Sequence, residues 1–205
     1  MSTPHAPGSR RAPRWAVAVL AAAALVTVGC SVAGPGAGGQ NSAAPLLAAL
    51  PGASTTVLQP LGTADPSPKT QRPSEPALLA VAGVRVGNHQ GFDRVVVDLE
   101  GDGDPGWYVA YTSAPMVGTT GRALAVSGNA FLNINVDGTV PPAELNLEGP
   151  VTVDRSGATG NVVEAVPAGT FDGRSQIVVG LRSEAPYSVQ VLEDPKRLVI
   201  DIVQK

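Results

Sequence analysis

The sequence predicts an all-β fold for the C-terminal part of the chain, from about Ala80 to Lys205. Apolar residues in this part occur in short runs rich in Val and Ile, separated by turn residues, which is typical of strands and turns. No stretch shows a long 3.6-residue period bounded by helix caps. Because about 125 residues suit one domain, we expect a single β-sandwich or a partly closed barrel.

The individual strands are predicted from runs of β-branched, Leu and aromatic residues that end at Gly, Pro, Asp or Asn. Aromatic residues make up only 4% of the chain, so the core should consist mainly of Val, Leu and Ile. A single helical turn is expected after Pro141 and Pro142. The predicted strands are residues 84–86, 94–99, 107–111, 123–126, 130–136, 151–153, 162–166, 176–181, 188–192 and 198–203.

Residues 1–29 have the three blocks of a secretory signal peptide. Arginines make the start basic, residues 15–28 are apolar except for one Thr, and Gly29 is a small residue at the expected cut. The apolar run is shorter than the ~20 residues that a spanning helix needs, so it would make a poor permanent anchor by itself. We therefore predict that the chain is exported and the leader removed.

Cys30 follows this leader directly and is the only cysteine of the chain. The stretch Val-Thr-Val-Gly-Cys at residues 26–30 resembles a bacterial lipobox, in which a small residue precedes the cysteine that receives lipid. A lone cysteine forms no internal disulfide, and a thioether-linked diacylglyceryl group with palmitate-type chains accounts for it. Two acyl chains hold a protein firmly to a membrane, so we expect a lipoprotein on the outer face of the cytoplasmic membrane. An ordinary signal peptide followed by a free thiol is the alternative.

Residues 30–79 are expected to form a linker after the lipidated cysteine. From Ser31 to about Glu75 the composition is dominated by Ala, Gly, Pro, Ser and Thr, with few large apolar residues. Such a segment buries too little surface to offset its ordering entropy, so it should be disordered. It would then be a stalk that holds a folded domain, residues 80–205, away from the membrane. A dispensable tail would have the same composition.

The charge of the chain excludes two classes of partner. Loss of Arg10, Arg11 and Arg14 with the leader leaves 11 basic against 17 acidic residues, a net charge of −6. A net acidic chain with scattered charges has no electrostatic footprint for nucleic acid. It is not a polybasic membrane binder either, so the lipid would have to supply the membrane contact.

Two predicted strands share one pattern of Arg, three apolar residues, Asp and an aliphatic residue. One strand runs from Arg94 to Asp98 and Leu99, and the other from Arg197 to Asp201 and Ile202. Because side chains alternate along a strand, Arg and Asp share one face and the apolar residues the other. If the strands are antiparallel neighbours, Arg94 can face Asp201 while Arg197 faces Asp98. Such pairs would contribute only ~0.2–1 kcal/mol each and would act mainly on register.

The sequence around these strands resembles the AMIN-like domain of bacterial lipoproteins, a relative of the AMIN domain. The matching stretches are residues 84–99, which include His-Gln-Gly-Phe-Asp-Arg-Val-Val, and residues 185–191 and 194–202, which include Pro-Lys-Arg-Leu-Val-Ile-Asp-Ile. The resemblance implies a β-sandwich that works in the cell envelope. It also implies a targeting module without catalytic activity, of the kind that brings amidases or secretin pores to the cell wall by binding peptidoglycan.

The residues themselves predict no enzyme, no cofactor and no metal site. His89 is the only histidine after the leader, and no second Cys is present to complete a His/Cys metal cluster. No G-x-S-x-G nucleophile elbow occurs. Residues 100–104, Glu-Gly-Asp-Gly-Asp, lack the ligating Glu of a calcium loop and are typical of a hairpin turn.

Four residues are the candidates for ligand binding. Trp107 and Tyr108 lie in the densest aromatic run, and amphipathic rings suit glycans, although core packing explains them as well. Arg94 and Arg197 could bind carboxylates of wall stem peptides in a bidentate fork, although cross-strand pairing explains them as well. We expect a module that binds peptidoglycan or a wall-associated protein. The alternative is a structural lipoprotein that pairs with another envelope protein through a sheet edge. The oligomeric state is left open.

Overall fold

The computed structural model describes residues 57–74 and 76–204, which form two β-sheets. The predicted signal peptide and Cys30 lie outside the described residues. No helix in the described ranges has the length and apolar character needed to cross a membrane. The strands are β1 Lys69–Gln71, β2 Leu78–His89, β3 Phe92–Asp102, β4 Gly106–Thr112, β5 Ala130–Asp137, β6 Thr152–Gly157, β7 Val162–Phe171, β8 Arg174–Leu181, β9 Tyr187–Leu192 and β10 Arg197–Val203.

The strands form two five-stranded sheets that face each other, as the sequence predicts for a β-sandwich. Sheet 1 has the spatial order β6, β2, β3, β10, β9, and sheet 2 has the order β1, β4, β5, β8, β7. Neighbouring strands are antiparallel, except that β2 and β6 run parallel. The expected helical turn is a 3₁₀ turn at Pro142–Leu145.

The core lies between the sheets and consists mainly of Val, Leu and Ile, which confirms the prediction from composition. Side chains alternate between the two faces of each strand, so that about every second one points into the core. Tyr187 is a large aromatic exception and is fully buried. The central core residues include Val95, Val97, Leu99, Val109, Leu132, Ile134, Val136, Ile177, Val179, Leu198, Ile200 and Ile202.

The predicted strand at residues 123–126 is wrong. Residues 113–129, here called the cover loop, cross the outer face of sheet 2, and only an isolated bridge joins Met116 to Ala123. The loop lies flat because Gly180 has no side chain: a Cβ there would be 1.9 Å from the carbonyl oxygen of Ser127. The apolar residues that suggested a strand instead lie over this face, where Val178 is fully buried although it points away from the core.

The described end of the predicted linker, residues 57–74 and 76–79, is ordered, which corrects the expectation of disorder there. Residues 57–68, here called the strap, cross the outer face of sheet 1. Leu61 N–H donates to Asp201 Oδ2 at 2.6 Å, and the Ser188 hydroxyl donates to Leu61 O. Asp65 and Tyr187 then exchange two backbone hydrogen bonds at the β9 edge. The chain continues into β1, which pairs with β4 of sheet 2.

Candidate functional site

The Phe-Asp-Arg motif at the start of β3 holds the sandwich together. Asp93 is fully buried, and its carboxylate accepts hydrogen bonds from the backbone N–H groups of Asn161 and Val162 and from the Asn88 amide. Phe92 is also fully buried, with the His89 ring 4.8 Å away, centroid to centroid. These residues anchor the β6–β7 connection and the β2–β3 hairpin, so they are not available to a ligand.

Arg94 lies opposite Asp201 in the β3–β10 ladder, and the two side chains form a bidentate ion pair. Arg94 Nε and Nη2 donate to the two Asp201 carboxylate oxygens at 2.6 and 2.7 Å. Asp201 is fully buried and the Arg94 side chain is only 14% exposed. The third hydrogen bond to this carboxylate comes from Leu61 in the strap. The hydrogen bonds of this pair therefore hold the strap on the outer face of sheet 1.

Arg197 lies opposite Asp98 in the same ladder, but these two side chains do not form the expected ion pair. Asp98 instead accepts two hydrogen bonds from Arg85 of β2, at 2.6 and 2.7 Å, and this carboxylate raises the pKa of Arg85. Arg197 Nε is buried and has no hydrogen-bond partner among the described residues. Arg85 binds this carboxylate in place of Arg197 because β2 is the neighbour of β3 on its other side, a position that was not predicted.

Trp107 and Tyr108 point to opposite sides of sheet 2. Trp107 belongs to the core and is 8% exposed, whereas Tyr108 is 42% exposed on the outer face. Arg94 and Arg197 lie on the outer face of sheet 1. The structure therefore separates the four predicted ligand-binding residues into three places, and no single site contains them.

The outer face of sheet 2 carries a groove of about 720 Å³. Its floor is formed by β5 and β8, one wall by the cover loop and the other by the β7–β8 hairpin. The residues that line it are mostly uncharged, and they include three side-chain amides: Val117, Gly118, Thr119, Asn133, Asn135, Ala168, Gly169, Thr170, Phe171, Asp172, Arg174 and Gln176. The groove is open to solvent along the sheet.

Gln176 fixes one wall of this groove to the floor. Its Nε2 donates to the carbonyl oxygen of Met116 and to Asn133 Oδ1, both at 2.9 Å. Its Oε1 accepts the backbone N–H of Gly118 at 2.9 Å. The Gln176 amide is thus fully used, and it holds the cover loop in place.

Asn135 lies in the middle of the floor, opposite Gln176 on one side and Tyr108 on the other. It lines the groove although it is only 9% exposed, and its side-chain amide has no hydrogen-bond partner among the described residues. Phe171 is 58% exposed at the far wall. An amide that can donate and accept, placed between two exposed rings, is suited to a flat, polyhydroxylated ligand.

The two charged residues that line the groove, Arg174 and Asp172, have opposite formal charges. Arg174 Nε donates to Asp137 Oδ1 at 2.6 Å, and this contact raises the pKa of Arg174. Asp172 occupies the β7–β8 turn with a φ of 47°. In the described part of the chain, no three His, Cys, Asp or Glu side chains converge as a metal site. The groove is therefore a neutral polar surface.

Sequence reasoning found Tyr108 but missed Asn133, Asn135 and Gln176. A signal was present in β5, where Asn133 and Asn135 alternate with the core residues Leu132 and Ile134. Outward positions of a strand are commonly charged, β-branched or Ser, and repeated amides there are a reason to look for a ligand. The wall formed by the cover loop could not be predicted, because that loop was interpreted as a strand.

Comparison with known proteins provides one match. A family model described as the AMIN-like domain matches residues 79–204, which is more than half of the chain. Neither the search of curated proteins nor the search of solved structures produced a match. The matched range covers every strand from β3 to β10 and nearly all of β2, and it excludes the strap and β1.

Proposed function

The chain belongs to the AMIN-like domain family, and from this premise we propose that it is a non-catalytic module of the cell envelope that binds peptidoglycan. The observation that carries the proposal is the neutral groove on sheet 2, with the unpaired Asn135 amide between the exposed rings of Tyr108 and Phe171. Extended grooves with a few convergent polar groups and exposed rings are suited to holding a polymer segment.

Binding without turnover agrees with the chemistry around the groove. Asp137 is engaged by Arg174, and the nearest other acid, Asp172, lies in a turn. Hydrolysis of a glycoside ordinarily needs two carboxylates on opposite sides of the scissile bond. In this proposal the domain holds the wall, and any chemistry on the wall belongs to another protein.

In the same proposal the chain is exported and attached to the membrane by lipid on Cys30. The predicted linker after Cys30 would be the tether, and the strap and β1 would belong to the folded module. This placement differs from a long stalk to residue 79, because the strap and β1 contribute to both sheets. The tether then limits how far from the membrane the groove can reach.

The alternative of a partner strand added to a sheet edge has less support. The free edge of sheet 2 is β7, which contains Pro167 and two register shifts, both features that protect an edge from pairing. The β9 edge of sheet 1 is partly occupied by Asp65 of the strap. The remaining edge strands, β1 and β6, are short.

Sedimentation with purified sacculi tests the proposed function. We expect the folded protein to pellet with sacculi at both low and high salt, because the groove has no net charge. A folded sample that stays in the supernatant at all salt concentrations would contradict the proposal. Recovery of an envelope protein by crosslinking, without sacculus binding, would favour the sheet-edge alternative.

Detergent phase partitioning tests the anchor separately. The full-length protein produced in a lipoprotein-processing host should enter the detergent phase, and the Cys30→Ser variant should stay in the aqueous phase. A Cys30→Ser protein that still partitions with detergent would overturn the lipid attachment while leaving the groove proposal untouched.

A further inference from the structure

We propose that the groove on sheet 2 takes the sugar chain of the wall polymer, an uncharged N-acetylated glycan, and not the anionic stem peptides. This inference rests on the proposed function and names the ligand of that same groove. It is carried by the distribution of charge, by the free amide groups of the floor, and by the spacing of the exposed rings.

The charge distribution disfavours a carboxylate ligand in the groove. The one arginine among the lining residues, Arg174, is already bound to Asp137, and Asp172 would repel an anion. Stem-peptide carboxylates call for an unpaired cation that can bind in a bidentate fork. No other arginine is among the lining residues: Arg122 belongs to the cover loop outside the lining. Arg197, whose Nε has no hydrogen-bond partner among the described residues, lies on the outer face of the other sheet.

The floor of the groove offers uncharged donors and acceptors. The Asn135 amide lines the groove and makes no hydrogen bond to the described residues, although the residue is only 9% exposed. The Asn133 amide nitrogen likewise makes no hydrogen bond to the described residues, while its oxygen accepts from Gln176. An amide donates through nitrogen and accepts through oxygen. Sugar hydroxyls and acetamido groups need both kinds of partner, whereas a carboxylate uses only donors.

The exposed rings lie at the two ends of this floor. Tyr108 on β4 and Phe171 on β7 are separated by three strand spacings and by two residues along the strands, which together amount to about 16 Å. Exposed rings that flank a polar floor can cover the apolar C–H faces of sugar rings while the hydroxyl edges reach the amides. The groove and its flanking rings are thus long enough for a short run of sugars.

The test compares ligands that contain the glycan, the peptide or both. The full chain is mixed with intact sacculi, with glycan strands from which an amidase has removed the peptides, and with soluble stem peptides. N-acetylglucosamine oligomers and an unacetylated β-glucan distinguish recognition of acetamido groups from recognition of any sugar chain. Affinity is measured by sedimentation for the polymers and by titration calorimetry for the soluble ligands.

We expect the chain to bind peptide-free glycan and N-acetylglucosamine oligomers, and to bind the stem peptides and the unacetylated glucan at least about tenfold more weakly. Tyr108→Ala and Asn135→Ala should each weaken glycan binding about three- to tenfold, the range for one net hydrogen bond or ring contact. Arg197→Ala is the matched control on the other face and should bind like the wild type.

The outcomes separate this inference from the proposed function. Binding to intact sacculi but not to peptide-free glycan would overturn the glycan assignment and leave wall binding standing. Binding to neither would overturn both. Loss of binding in Arg197→Ala with full binding in Asn135→Ala would move the site to sheet 1 and overturn the inference. If an alanine variant melts early, Asn135→Asp keeps the side-chain volume, and unchanged glycan affinity in that variant would also count against the groove.

Discussion

Replacing Asp201 by Ala should detach the strap and destabilise the sandwich. Asp201 is fully buried and accepts hydrogen bonds from Arg94 Nε, Arg94 Nη2 and Leu61 N–H at 2.6, 2.7 and 2.6 Å. Its removal leaves the Arg94 guanidinium, only 14% exposed, without a counter-ion. It also leaves the N–H of Leu61 without an acceptor.

The expected loss in the free energy of unfolding is about 3–5 kcal/mol, the range for removing one partner of a buried ion pair. The lower end applies if Arg94 can turn toward water, since its side chain already reaches the surface. For a folded unit of this size, each kcal/mol lowers Tm by about 2–4 °C, so Tm should fall by about 6–20 °C.

Urea unfolding monitored by tryptophan fluorescence measures this loss, and limited proteolysis reports on the strap. Cleavage within residues 57–68 should become faster in Asp201→Ala than in the wild type. The double variant Arg94→Met, Asp201→Leu removes both charges and should recover much of the lost stability. A loss below about 1 kcal/mol, with the strap still protected, would refute the role assigned to this pair.

Three further changes test other parts of the account. The pKa of Asp65 in the strap is lowered to about 2, chiefly by its hydrogen bond from Lys69. The ionised carboxylate therefore stabilises the fold fully above the unfolded pKa near 4, and this stabilisation is lost as the pH falls toward 2. Urea midpoints between pH 5 and 2 should fall less in Asp65→Asn than in the wild type, and parallel curves would contradict this. Leu132→Ala should cost about 2–5 kcal/mol in urea unfolding because Leu132 is fully buried, and a cost under 1 kcal/mol would place it outside the core. Gly160→Ala should lower Tm because its Cβ would lie 2.1 Å from the carboxylate of Asp93. Gly118→Ala is the control and should not lower Tm, because the nearest atom to its Cβ, Gln176 Oε1, would be 3.5 Å away. Equal melting curves for the two variants would count against the buried Asp93 network.

Period-two alternation was enough to predict the sandwich strands and one long-range contact. Val95, Val97 and Leu99 point inward as their spacing indicates. The same spacing placed Arg94 and Asp201 on one face, and the observed ladder sets them opposite each other. These features depend on local pattern and on the similarity of two strands, both of which are visible in the sequence.

The features that were missed depend on contacts between distant parts of the chain. The strap is ordered because Leu61 meets an acceptor 140 residues later and Asp65 meets the free edge of β9. Its own composition shows neither partner. The partner of Asp98 was likewise decided by a third strand, since Arg85 of β2 donates to both of its carboxylate oxygens.

The groove was missed for a different reason. Its floor residues follow the strand period, but outward polar residues are common in β-strands. Asn133 and Asn135 were therefore not predicted as ligand-binding residues. The groove exists only because Gly180 lets the cover loop lie against sheet 2 and Gln176 holds the backbone of that loop. A chain segment that lies across a sheet rather than within it has no periodic signature in the sequence.

Chemical-shift mapping with peptide-free glycan strands tests the central claim most directly. The ¹⁵N-labelled domain is titrated with solubilised strands, and backbone and Asn/Gln side-chain amide signals are followed. We expect the shifts to concentrate on β5, β8 and residues 117–119, with that of the Asn135 side-chain amide among the largest. Shifts confined to β3 and β10 around Arg197, or no shifts in a folded sample at millimolar glycan, would contradict it.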